Sequence, residues 1–306
     1  MPATSRAKKS PAKSKPATKA AAPAAARTAA KPAAKSTAKA PAKAAPRTAL
    51  KPAAKPAARS GVPMELDAVM AELAKAGSEQ TRKTYRRHGA EEPMFGVSFA
   101  TLKVLVKRIG VDHSLAIGLW GTKNHDARVL ALKVADPASV SAAELDRFAS
   151  EMRARMCGTY AAMLAAESPH GASTAREWLA ARDERLRATA WALVGCMANL
   201  DTATDDEWFA SQIARIERSI HTAPNAEREA MNLALIQIGG RSAALRKAAL
   251  AAAKRIGKVE VDHGDTACKT PDATAYLEKT WAHAESKGFE SPAAQERARE
   301  PMRLRC

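Results

Sequence analysis

The sequence predicts an all-α protein, a helical-repeat solenoid with a concave face, preceded by a disordered basic arm. Three observations carry the prediction. Charge and composition change abruptly near residue 60, the remainder shows helical periodicity with helix punctuation, and one short pattern recurs along it. The 306-residue chain has a formal net charge of +17, yet 15 of its 49 Lys and Arg and none of its 32 acids fall in the first 60 residues. The other 246 residues therefore balance at +2, and the overall charge describes neither part.

The arm, residues 1–62, has no aromatic residue, and up to residue 60 it holds 9 of the 17 prolines, with Met1 and Leu50 as its only large aliphatics. Such a segment cannot bury enough apolar surface to offset a backbone ordering cost of roughly 1–2 kcal/mol per residue. Its loose repeats, Lys31-Pro-Ala-Ala-Lys35, Lys39-Ala-Pro-Ala-Lys43 and Lys51-Pro-Ala-Ala-Lys55, make a polycation. Nonspecific binding of a polyanion such as duplex DNA is the chemistry this suits, with a solubilising linker as the plainer reading. The composition resembles linker-histone tails, and Ser10-Pro-Ala-Lys13 is similar to their Ser-Pro-x-Lys unit. No side-chain set for reading base edges is present.

Residues 63–288 read as the helical domain. Ser141-Ala-Ala-Glu144 and Thr204-Asp-Asp-Glu207 are capping-box signatures. Gly77, Gly110, Gly121, Gly239-Gly240 and Gly257 fall where apolar runs stop, as glycines do after helices. Val259 to Val261 is the only strand candidate, and ten to thirteen helices are expected. The tryptophans, Trp120, Trp178, Trp191, Trp208 and Trp281, lie in helical apolar patterns and read as core. Residues 289–306 are charged and expected to fray, with Cys306 an exposed thiol.

Some classes are excluded. No run of eighteen apolar residues exists, so no membrane span is expected. The basic N-terminus lacks the apolar stretch of a secretory signal. The dispersed Cys157, Cys196, Cys268 and Cys306 form no CxxC pair, which fits a reducing cytoplasm; the arm's fitness for DNA adds the expectation of a place beside the nucleoid. No cofactor is expected.

Ala127-Arg128-Val-Leu-Ala131-Leu132, Leu186-Arg187-Ala-Thr-Ala190-Trp191 and Leu245-Arg246-Lys-Ala-Ala249-Leu250 share one form, with Asn124 and Asp183 at one offset before the first two. An Asn or Asp caps a helix, an Arg follows an apolar residue, and small residues admit a neighbouring helix. The pattern resembles the inner helix of HEAT repeats, whose stacking gives an extended groove. For Arg128 and Arg187 two roles stand: contact with DNA, or a structural pairing with an acid or carbonyl in the same or next repeat. For Arg246 the structural role is favoured.

Two stretches carry a family resemblance: Lys83-Thr-Tyr85-Arg-Arg-His88-Gly89 through Phe95-Gly96-Val97-Ser98-Phe99-Ala-Thr-Leu102-Lys103, and Leu115 to Trp120 with Asn124-His125-Asp126-Ala127-Arg128 and Asp136-Pro137. They resemble the DNA alkylation repair family, HEAT-like-repeat glycosylases that remove N3- and N7-alkylated purines, over about Met64 to Gly288. Gly257 to Asp272 resembles a signature of a bacterial branch. An alkylated purine already carries positive charge and leaves readily; a carboxylate near the sugar stabilises the developing oxocarbenium and places a water.

The resemblance implies a catalytic Asp after the Asp-Pro turn, but Gly158 stands there and Ala154 where a Trp is implied, in Glu151-Met-Arg-Ala-Arg-Met-Cys157-Gly158-Thr-Tyr160. A family Arg falls at or beside Arg187 and a second family Trp near Leu233. No nearby residue clearly replaces the Asp: Glu151 is a turn or two away and Asp126 belongs to another helix, so the catalytic residue stays unknown.

The expected nucleic-acid contacts are Arg128, Arg187, Lys103, Lys107, Arg86 and Arg87. Tyr85, Arg86, Arg87 and His88 are either a backbone-binding knot or a solvated helix end. Asp262, His263, Asp265, Cys268 and Lys269 mark a candidate functional loop, read as a polar cap on the following helix rather than a metal site. The leading reading is a protein that binds alkylated or distorted duplex DNA in a groove, with base excision left open. The alternative is a noncatalytic scaffold for protein partners, localised to DNA by the arm. Cations converging on one face favour the first; cations paired with acids favour the second.

Overall fold

The computed structural model describes residues 64–152 and 154–305. The arm and the Cys306 thiol lie outside the described residues. Fourteen α-helices and one 3-10 turn account for the regular structure there, one α-helix above the upper bound expected from the sequence. No strand occurs among the described residues; Gly77 and Val97 form an isolated bridge, and 259–261 is irregular.

Three N-terminal helices, α1 (Leu66–Ala76), α2 (Glu79–Arg87) and α3 (Phe99–Ile109), precede five hairpins. The hairpins are α4 (His113–Gly121) with α5 (His125–Val134), α6 (Ala142–Glu151) with α7 (Arg155–Glu167), α8 (Gly171–Leu179) with α9 (Glu184–Leu200), α10 (Asp206–Ser219) with α11 (Asn225–Gly239), and α12 (Ala243–Ile256) with α13 (Ala273–Ser286). The second helices pack successively, α5 on α7, α7 on α9, α9 on α11 and α11 on α13, making one continuous layer. Small residues make this close stacking possible: Ala127, Ala161, Ala162, Ala165, Ala190 and Ala234 are all fully buried. Gly195 lies between α9 and α11, where the Gln237 side chain fills the space a Cβ would take, with Oε1 1.7 Å from that position. The third arginine pattern belongs to α12, a first helix of its hairpin, so only α5 and α9 are the inner-type helices expected.

Caps behave largely as the residues dictate. Asn124 and Asp183 accept amides at the starts of α5 and α9, and Ser141 with Glu144 forms both halves of a capping box. The box at Thr204 is not formed: Asp205 caps α10 through the Trp208 amide, while the Thr204 hydroxyl donates to Asp201 at 2.5 Å. Gly110 and Gly257 end α3 and α12 at φ 76° and 69°, where only glycine is unstrained, but Gly77 and Gly240 have ordinary negative φ and Gly121 lies within α4. Trp120, Trp178, Trp191 and Trp281 are core as expected; Trp208 is half-buried.

The expected fraying of residues 289–306 is corrected. The segment forms α14 (Pro292–Arg297) and a 3-10 turn at Met302–Leu304, and the folded domain runs on to residue 305. α14 lies on α9 and α13, and the turn lies on α5 and α7, so the segment straps the repeat layer. Fully buried Lys133 donates from Nζ to the Arg303 carbonyl at 2.9 Å and the Arg305 carbonyl at 3.0 Å. Arg303, also buried, donates from Nε to Glu167 at 2.8 Å and from Nη1 to the Lys133 carbonyl. The polar residues that read as solvated are here internal anchors.

Candidate nucleic-acid interface

Arg128 sits in the first turn of α5, and its Nη2 lies 2.6 Å from Glu151 Oε2 at the end of α6. Its guanidinium carbon is 4.7 Å from the Trp120 ring centre, and Trp120 Nε1 donates to the same Glu151 oxygen at 2.8 Å. Burial pulls the Arg128 pKa down. Arg187, in the first turn of α9, donates from Nε to buried Glu227 on α11 at 2.7 Å and from Nη1 to the carbonyls of Ala181 and Arg182. That carboxylate raises the Arg187 pKa. Arg246 on α12 reaches Glu285 on α13 at 3.2 Å and covers the Trp281 ring at 4.6 Å. All three repeat arginines thus tie one helix to a later one.

Among the N-terminal cations, Arg86 is also committed. Arg82 and Arg86 approach Glu92 Oε1 at 3.0 and 2.8 Å, Arg86 reaches Glu79 at 3.0 Å, and the Met94 amide donates to Glu92 Oε2. The Arg86 and Arg82 hydrogen bonds bring the Glu92 pKa down to about 2. Because the folded value is depressed, the clamp's stabilisation is present above about pH 4.5 and is lost as pH falls toward 2. A carbon-13 titration of the Glu92 carboxyl is expected to give a midpoint near 2; a midpoint near 4.5 would show both arginines free for phosphate. Arg108 pairs with Glu72 at 2.7 Å. Arg87 is exposed in the last turn of α2 and makes no ion pair among the described residues, while Lys103 and Lys107 stand one turn apart on α3 beside exposed Val104.

Gly158 is buried in α7, and a Cβ there would lie 2.9 Å from Thr189 Oγ1 on α9. The two acids weighed as replacements are engaged: Glu151 holds Trp120 and Arg128, and fully buried Asp126 accepts the amides of Phe95, Gly96 and Val97 at 2.7–3.0 Å. Asp126 therefore pins the turn before α3 onto α5. Ala154 is buried, and Leu233 on α11 is 43 % exposed.

The 257–272 loop crosses from α12 to α13 and is held by one face of α11. Asn225 clamps the Asp262 backbone with bonds of 2.7 and 2.8 Å, Arg228 donates to the Glu260 carbonyl, and Asn232 donates to the Pro271 carbonyl. His263 Nε2 contacts Thr270 at 3.0 Å, and Asp262 accepts the Gly264 amide. The cap on α13 comes from Asp272, not from Asp262 or Asp265. Asp265, Cys268 and Lys269 are exposed at the tip. The i, i+3, i+7 polar spacing of Asn225, Arg228 and Asn232 was a signal that sequence reading missed.

Together these features define an α-helical repeat protein of the HEAT-like type, with several cations of its repeats internally paired and its loop built onto the fourth hairpin. The model of the DNA alkylation repair enzyme family matches residues 69–277, and the chain belongs to that family. Two uncharacterized relatives are Lmo0209 of Listeria monocytogenes, 26% identical over 70% of this chain and 96% of its own, and Lin0241 of Listeria innocua, 25% identical with the same coverage. A solved structure described as a new family of proteins related to the HEAT-like repeat DNA glycosylases with affinity for branched DNA structures is 28% identical, with a TM-score of 0.66, over 75% of this chain and 98% of that one. No helix among the described residues is long and apolar enough to cross a membrane.

Proposed function

We propose that this chain is a DNA-binding protein that recognises branched or otherwise distorted DNA without excising bases, the basic arm adding nonspecific affinity. The observation that carries this is buried Gly158, closed over by Thr189, at the position where the resemblance implies a catalytic Asp. The similarity to a solved protein described as having affinity for branched DNA supports the ligand class. Arg87 and Lys103 are the body's proposed phosphate contacts. Arg128, Arg187 and Arg86 add positive potential only through already paired guanidiniums, and the tip of 257–272, with Lys269, is the proposed contact at a branch.

The test is anisotropy binding of the full chain to a four-way junction and to linear duplex of equal length, near physiological salt. A junction preference of about tenfold, or about 1.4 kcal/mol, is expected. A variant with its fifteen arm cations changed to Gln should keep that preference while losing affinity for both. Equal binding of both forms, abolished in the arm variant, would overturn the reading. The scaffold alternative would then stand, favoured by the acid pairing of Arg108, Arg128 and Arg187.

A further inference from the structure

The C-terminal strap forms, with the repeat layer, the walls of an open cavity of about 630 Å³ that none of the features above uses. Its walls come from α7, α9, α11, α13 and the strap itself. We propose that it is a nucleotide site, taking a nucleobase between its aromatic and amide groups and a phosphate at its rim.

Size and chemistry agree on this class. Small-molecule sites occupy roughly 300–1,000 Å³ and combine mostly apolar walls with a few convergent polar groups. Here Asn199 and Gln237 line the cavity, and among the described residues neither side-chain amide has a hydrogen-bond partner. Asn199 is 6% exposed as a residue, yet its amide atoms keep solvent contact, so they remain available to a bound group. An amide offers a donor and an acceptor side by side, which is the complement of a nucleobase edge.

Tyr276, Lys279 and His283 follow i, i+3, i+7 spacing and face the cavity from one side of α13. Tyr276 is 47% exposed, one of few large rings so placed, and offers a stacking surface. Lys279 makes no ion pair among the described residues. Also in the lining, Arg299 and Arg305 share the single carboxylate of Glu296 at 2.7 and 2.5 Å, which leaves excess positive charge for a phosphate. An acyl chain would leave both amides unmatched.

A free nucleotide and an unpaired residue of a DNA strand present the same chemistry, so the site does not depend on junction recognition. The experiment is calorimetric titration of the full chain at moderate salt with the four deoxynucleoside monophosphates, the trinucleotide of thymidine, and inorganic phosphate. One monophosphate or trinucleotide per chain is expected to bind, with phosphate alone silent. Tyr276→Ala and Lys279→Ala, both at exposed positions, should weaken binding about tenfold at unchanged melting temperature; Asn199→Ala should shift the preference among bases. A trinucleotide more than about tenfold tighter than the best monophosphate assigns the site to a DNA strand, and parity assigns it to free nucleotide. No binding by any nucleotide, or binding indifferent to Tyr276→Ala and Lys279→Ala, overturns the proposal. Loss of nucleotide binding with junction preference intact would leave the proposed function untouched.

Discussion

Arg303→Ala should destabilise the fold by about 3–5 kcal/mol, the usual cost of removing one partner from a buried ion pair. The substitution strands Glu167, whose carboxyl burial already pushes up in pKa and whose ionised form Arg303 supports through bonds from both Nε and its backbone amide. It also loosens the backbone carbonyls that satisfy Lys133, and a buried ammonium without acceptors is costly. Urea unfolding should show the loss as a lower midpoint, and melting should fall by about 2–4 °C for each kcal/mol. Replacing both partners, Arg303→Met with Glu167→Leu, should recover much of the stability because no charge is then left unpaired. A loss below about 1 kcal/mol, with α14 amides exchanging freely, would mean that the strap frays in solution and that the cavity loses one of its walls.

The strap also shows where sequence reading stops. Asn124, Asp183 and Ser141 announce their helices because a cap and its amides lie within three residues, and the apolar rhythm that follows is local too. All-α repeat architecture was legible for that reason. Arg303 looks like a solvated residue in a charged tail, since its partners, Lys133 and Glu167, lie 170 and 136 residues away. The same distance problem governs the repeat arginines: the pattern shows that Arg128, Arg187 and Arg246 matter, but their acids lie 23, 40 and 39 residues downstream. For Arg128 and Arg187 both roles were open on the sequence, and only packing favours the structural one; for Arg246 the structural role was already favoured. At Thr204 the failure is smaller: Asp201 competes for the hydroxyl and Asp205 takes the cap one residue later.

Single-turnover reaction of the full chain with methylated duplex, enzyme in excess at low salt, should release N3-methyladenine and N7-methylguanine no faster than they depart spontaneously. These bases are good leaving groups, so the protein's task is to stabilise charge on the sugar, and a positioned group of that kind is worth about 10²–10³ in rate. Gly158 supplies no such group, Glu151 is shared between Trp120 and Arg128, and Asp126 is spent on three backbone amides. Gly158→Asp alone should destabilise the chain, because its Cβ would press on Thr189 Oγ1 at 2.9 Å. Gly158→Asp with Thr189→Ala relieves that contact, so this pair asks whether a carboxylate alone restores excision on an otherwise intact scaffold. Release above background by the unmodified chain would overturn the nonexcising reading and direct attention to Glu227, the buried carboxylate that Arg187 holds on α11. Glu227→Gln would then separate the two roles: a lost rate at unchanged junction affinity marks chemistry, whereas a lower melting temperature with both activities reduced marks the Arg187 pairing alone.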